Sequence, residues 1–202
     1  MKELEKRSYS FDPRAEGNRI TGRPIVYGSR TDIGPFDEII EPGALTGADL
    51  TDVRFLVNHD ISRIPLARSR RNNGNSTMQL TPDEQGLSID VQLDTENNAE
   101  ARSLYSAVER GDISGMSFMF SISDEEWENL ESDHPTRHIR SIGSVVEVSA
   151  VTFPAYKSTE ISARSAEALE NARAAVETAR AASVETDELE LAKAKYEFKS
   201  KF

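Results

Sequence analysis

Ser117 sits in the middle of GDISGMSFMF, residues 111–120, where a turn of small residues runs into an apolar stretch with strand character. A serine hydroxyl is a weak nucleophile, so chemistry here needs a base to take its proton and a third group to orient that base. His59, at the end of the apolar run RFLVNHD, and Glu147, inside VVEVSAVTFPAY, are groups of those two kinds. The three types together point to acyl transfer, in which imidazole moves the proton and the carboxylate fixes its tautomer.

Each of the three also has an ordinary structural role open to it. Ser117 could be a small polar residue facing out of a strand, and His59 a ring bonded to backbone where a strand ends. Around Glu147 the neighbours Val145, Val146 and Val148 do not alternate cleanly, which suggests burial on both sides, and a buried carboxylate needs a partner. Ser114 is the nearby rival nucleophile and reads as a turn residue. An α/β-hydrolase elbow is excluded, because G-x-S-x-G needs a second glycine where Met119 stands, and a strand-to-helix turn.

His134 and His138 are four residues apart, so a metal site with His59 is conceivable, but Pro135 and a loop-like context speak against it. No cofactor is expected. Arg63, Arg68, Arg70 and Arg71 lack interleaved aromatics, so a solvated hairpin or an acidic partner fits this run better than nucleic acid.

The elements that must carry these residues are mostly strands. NRITGRPIVYG suits a first strand with a turn or bulge, GPFDEIIEPGAL a compact loop, and RFLVNHD a buried strand ending at His59. In GLSIDVQL the apolar residues Leu87, Ile89, Val91 and Leu93 alternate with polar ones, and with MQL and the PDEQG turn they predict a hairpin within an antiparallel meander. NNAEARSLYSAVER predicts a helix over 97–110, with Asn97 and Glu100 at capping-box spacing and Gly111 as its stop. The Ser117 strand, an acidic loop and a strand over 138–153 follow. Residues 164–202 contain no glycine or proline and predict two helices divided near Ser183–Thr186, whose narrow Leu169, Ala172, Val176, Ala179 stripe suits docking on a partner.

At 202 residues the chain has room for one core and an appendage. With no cysteine it has no disulfide framework and no thiolate chemistry. A formal net charge of −11 argues against a general nucleic-acid binder. MKELEKRSYSF has no apolar core of a signal peptide, and no stretch has the length of a membrane span, so neither export nor embedding is expected.

Taken in order, GSRTDIGPFDEIIEPGAL, the NHD turn, GDISGMSFMF and EVSAVTFPAY resemble the prohead maturation proteases of tailed bacteriophages, a family sharing its fold with the herpesvirus assembly proteases. The resemblance runs from about Gly17 to Thr159. It implies that His59 is the catalytic base, Ser117 the nucleophile and Glu147 the acidic third member, a place taken by histidine in the herpesvirus proteins, which brings His138 forward as a rival. It also makes the stretch from Arg137 to Arg140 a candidate for stabilising the oxyanion. The sequence departs from the family pattern at Met119 and Ala67, where glycine is common.

The implied fold is mainly β with α, an antiparallel seven-stranded barrel flanked by helices over 1–163, with a helical tail at 164–202 that autolysis could remove. The implied activity is serine endopeptidase action, without a cofactor, on the scaffolding segment of the major capsid protein and on itself. The partners are then that capsid protein and a second copy of the chain, with no membrane or nucleic acid. The place is the assembling prohead in the host cytoplasm. A non-enzymatic assembly protein of the same fold is the competing expectation.

Overall fold

The computed structural model describes residues 4–10, 13–152 and 166–178. Eleven strands and one principal helix follow in order: β1 (Glu5–Ser10), β2 (Arg14–Glu16), β3 (Arg19–Val26), β4 (Thr31–Asp32), β5 (Asp37–Ile40), β6 (Arg54–Val57), β7 (Ala67–Arg68), β8 (Met78–Asp83), β9 (Gly86–Gln92), α1 (Ala99–Glu109), β10 (Gly115–Glu128) and β11 (Thr136–Val151). A second helix, α2, covers 166–178. The mainly β, α+β character expected of the sequence is therefore what the chain adopts.

The strands form two sheets. The larger has seven strands, ordered β1-β10-β11-β5-β4 with β6 paired to β11 and β7 to β6, and the smaller is ordered β2-β3-β9-β8. Neither order returns to its first strand, so hydrogen bonding does not close the expected barrel. Two pairings also depart from the antiparallel expectation, because β5 and β6 both run parallel to β11. β11 is 16 residues long, and its first part carries β5 while its last part carries β6 along the same edge.

Four register shifts between Met119 and Glu125 bend the β10–β11 ribbon, as bulges do. The bend brings β1 and β5 together although β10 and β11 lie between them in the sheet order. Arg7 on β1 makes two bonds to Glu38 on β5, one of 2.6 Å, and Arg137 on β11 lies 2.9 Å from Glu5 and 3.5 Å from Glu38. The Glu38 side chain is fully buried and both guanidinium groups are nearly so. Arg7 lies over the ring of Phe120, and Arg137 over Phe36 and Trp127. Buried charges of this kind hold only because every partner is present.

Both sheets and α1 share one core. The large sheet contributes Phe55, Phe118, Phe120 and Val148, the small sheet Ile20, Met78, Leu87 and Val91, and α1 Ala101, Leu104 and Val108. The period-two hairpin is β8–β9, and Gly86 is obligatory in it, since a Cβ there would stand 2.0 Å from the Ile25 carbonyl oxygen. α1 starts two residues later than the spacing suggested. Its cap is Asn98, whose side chain accepts from the amides of Glu100 and Ala101, the commonest way to satisfy such orphan donors.

Two stretches differ from expectation in kind. GPFDEIIEPGAL holds β5 rather than only a loop, and much of the expected acidic loop extends β10 as far as Glu128. α2 docks on its own chain, with Leu169 buried beside Ile33 and Phe36; the remainder of the expected helical tail lies outside the described residues.

Replacing Glu38 by Ala should cost about 3–5 kcal/mol, the range for breaking a buried ion pair from one side. Arg30→Ala, which removes an exposed pair with Asp37, should cost at most about 1 kcal/mol; urea midpoints of the two variants check both.

Candidate active site

β6 delivers His59. Its register against β11 is Arg54 to Glu147, Phe55 to Val148, Leu56 to Ser149 and Val57 to Ala150. Phe55 and Val148 face the core, so their neighbours Leu56 and Ser149 lie on the reverse face. Beyond Val57 the chain turns sharply, with φ of +51° at Asn58 and +59° at His59. Left-handed backbone is unfavourable for residues with a Cβ, asparagine being one of the more tolerant.

Hydrogen bonds to the end of β11 hold the turn in place. Asn58 donates its amide to the Ala150 carbonyl and exchanges side-chain bonds with Thr152, and the His59 amide donates to Ser149 Oγ at 3.1 Å.

The turn brings the imidazole back along β11. His59 Nδ1 lies 2.7 Å from Glu147 Oε2, with the histidine side chain 16% exposed and the glutamate 3%. Ser149 donates its hydroxyl to the other carboxylate oxygen, Oε1. Glu147 is thus gripped from both sides, and its burial is satisfied as a buried carboxylate requires.

Ser117 reaches the same place by the other edge of β11. In the β10–β11 ladder it pairs directly with Ser149, and on its far side it pairs with Ser8 of β1. It is 0% exposed, and its hydroxyl donates to the Arg7 carbonyl at 2.7 Å. Among the described residues no hydrogen bond joins Ser117 to His59. The histidine and carboxylate are therefore in contact, while the serine lies on the neighbouring strand, level with Ser149 and two residues along from Glu147, with its proton engaged elsewhere. Ser114 precedes β10 and is exposed, as suits a turn residue.

The rival assignments separate cleanly. His138 bonds Glu41 at 2.6 Å and Glu128 at 3.3 Å near the opposite end of β11, so it is not the partner of His59. His134 lies 3.1 Å from Asp37, so the three histidines do not share one metal site. Arg137 is committed to Glu5 and Glu125, and Arg140 pairs with Glu126, both distant along β11 from Glu147. In the arginine run, Arg68 makes a two-pronged bond to Asp52, and Arg63 pairs with Asp60 and Glu100.

Ser149, which also belongs to the site, is not among the residues that the sequence brings forward. The signal was the alternation in Glu147-Val148-Ser149, which puts its two polar side chains on one face of a strand.

A histidine and carboxylate hydrogen-bonded beside a strand-borne serine are the parts from which serine proteases are made. The family model described as caudovirus prohead serine protease matches residues 2–173, and the chain belongs to that family. It is 30% identical over 141 residues to the "Prohead protease" of Enterobacteria phage HK97, an alignment that takes in 67% of this chain and 57% of that protein. The chain thus spans little more than half the length of this curated relative. No solved structure matches it.

Replacing Asn58 by Ala removes the bonds to Thr152 and leaves a residue poorly suited to left-handed backbone, so stability should fall by about 1–2 kcal/mol. Thermal melting of Asn58→Ala beside Asn58→Gly, which keeps the backbone freedom, separates the two contributions.

Proposed function

We propose that this chain is a serine endopeptidase of phage head assembly, with Ser117 as nucleophile, His59 as general base and Glu147 as the group that orients and supports the imidazole. The observation that carries the reading is the 2.7 Å contact between His59 Nδ1 and Glu147, two residues along β11 from Ser149, the ladder partner of Ser117. A carboxylate on Nδ1 favours the tautomer with its proton there, which leaves the Nε2 lone pair for the serine proton. In the forward step Ser117 Oγ bonds to a peptide carbonyl carbon as its proton passes to His59. The imidazolium then protonates the leaving amine, and water repeats the sequence to release the acyl group. For this the Ser117 hydroxyl must first leave the Arg7 carbonyl and turn toward the ring.

The proposed substrates are the scaffolding segment of the major capsid protein and the chain itself, inside the assembling prohead. The tail over 164–202 is a candidate for self-removal from a protease unit over 1–163. The relation to herpesvirus assembly proteases, and the dimer it implies, belong to the same proposal. Ile61 and Ile64, 79% and 81% exposed just after His59, offer a second copy an apolar contact.

One observation favours the non-enzymatic reading, an assembly protein with this fold. Ser117 is wholly buried and already hydrogen-bonded to β1.

Incubation of the full chain followed by intact-mass measurement discriminates between the two. The wild type should shorten with time, Ser117→Ala should keep its mass, and Glu147→Gln should cleave about 10³–10⁴-fold more slowly, as loss of the orienting carboxylate does elsewhere. Masses that stay unchanged with time for both wild type and Ser117→Ala would overturn the self-cleaving reading and favour the assembly role instead.

A further inference from the structure

We infer that Ser149 is a positioning residue of this site, holding the Glu147 carboxylate and the His59 backbone together through one buried hydroxyl. The inference rests on the catalytic reading above and deepens it. Position 149 lies between Val148 and Ala150 in the interior of β11 and is 0% exposed. A small apolar residue would suit such a place, since a hydroxyl there must be hydrogen-bonded to offset its lost hydration.

The bonds it makes are directed at the site. Its single proton goes to Glu147 Oε1, which leaves Oε2 for His59 Nδ1, so the carboxylate cannot rotate without breaking one bond or the other. Its oxygen accepts the His59 amide at 3.1 Å, which holds the histidine in its left-handed conformation. Its backbone pairs with Ser117 on one side and Leu56 on the other. One residue therefore touches the orienting group, the base and the strand of the nucleophile. Partners of this kind, one step removed from the reacting groups, fix the geometry on which proton transfer depends.

The test uses the full chain with Ser149→Ala, Ser149→Thr and Ser149→Val, and a fluorophosphonate probe that phosphonylates an activated serine with loss of fluoride. Labelling is mapped to Ser117 and followed against probe concentration and pH, with melting temperatures measured in parallel. Ala and Val should lower the maximal labelling rate about 10–100-fold, the usual cost of losing an orienting partner. The half-saturating probe concentration should stay within about twofold, because ground-state binding is untouched. Thr, which keeps the hydroxyl, should restore both the rate and the shape of the pH profile that Ala alters.

The inference fails if Ala and Thr label at the same rate per folded molecule with the same pH profile, or if the Ala loss equals its loss of folded protein. Ser117-dependent labelling that is untouched by Ser149→Ala would overturn this inference alone. A wild type that is unlabelled, or labelled no differently from Ser117→Ala, would overturn the catalytic reading and this inference with it.

Discussion

The site depends on a reversal of chain direction at the end of β6. If the parallel ladder with β11 ran on unbroken, His59 would stand level with Thr152, about 16 Å from Glu147 at roughly 3.3 Å per residue. Two successive left-handed residues cancel that distance and bring the imidazole back to the carboxylate. Such a turn is unfavourable in isolation. It persists because the Ala150 carbonyl, Ser149 Oγ and Thr152 each hold one of its polar groups. The strain is local, and the bonds that offset it come from the same strand that carries Glu147.

A second constraint acts through the larger sheet. Bulges in the β10–β11 ribbon curl it until β1 and β5 meet across the core, and the meeting is mediated by charge rather than by apolar packing alone. Removing ions from water is costly, and a hydrophobic cluster of the same volume is often as stable. The network has a directional property that such a cluster lacks. Arg7 and Arg137 both reach Glu38 in the register that sets Arg7 opposite Phe118, so a slip of β1 along β10 would break these pairs.

Much of this was legible because it is written locally. The alternation of Leu87, Ile89, Val91 and Leu93 predicts β9, and the small-residue turn before Met116 predicts where β10 begins. Glu147 and Ser117 fall on the paired strands β11 and β10, His59 falls in the turn that follows β6 on the other edge of β11, and His59 and Glu147 are in contact. Parallel pairing of β5 and β6 with β11 was not legible, since nothing in either short run records the direction of a partner about a hundred residues away. β1 and β2 leave little trace in the sequence, because six- and three-residue strands rich in charge carry little apolar periodicity. The burial of Arg7 and Glu38 is not legible either, because a burial satisfied wholly by a distant opposite charge leaves no local mark. His138 illustrates the converse, being near Glu147 in sequence and far from it along an extended strand.

Arg7 has two roles that meet at Ser117. Its guanidinium is bound in the ion network, while its carbonyl accepts the Ser117 hydroxyl. Because that acceptor belongs to the main chain, no replacement of the Arg7 side chain deletes it; only movement of the strand can. The ion network and the acceptor of the hydroxyl thus meet in one residue of β1, a strand that its ladder with β10 also holds in place. The direction of the Ser117 proton is accordingly set by the main chain of a neighbouring strand and by no side chain of that strand.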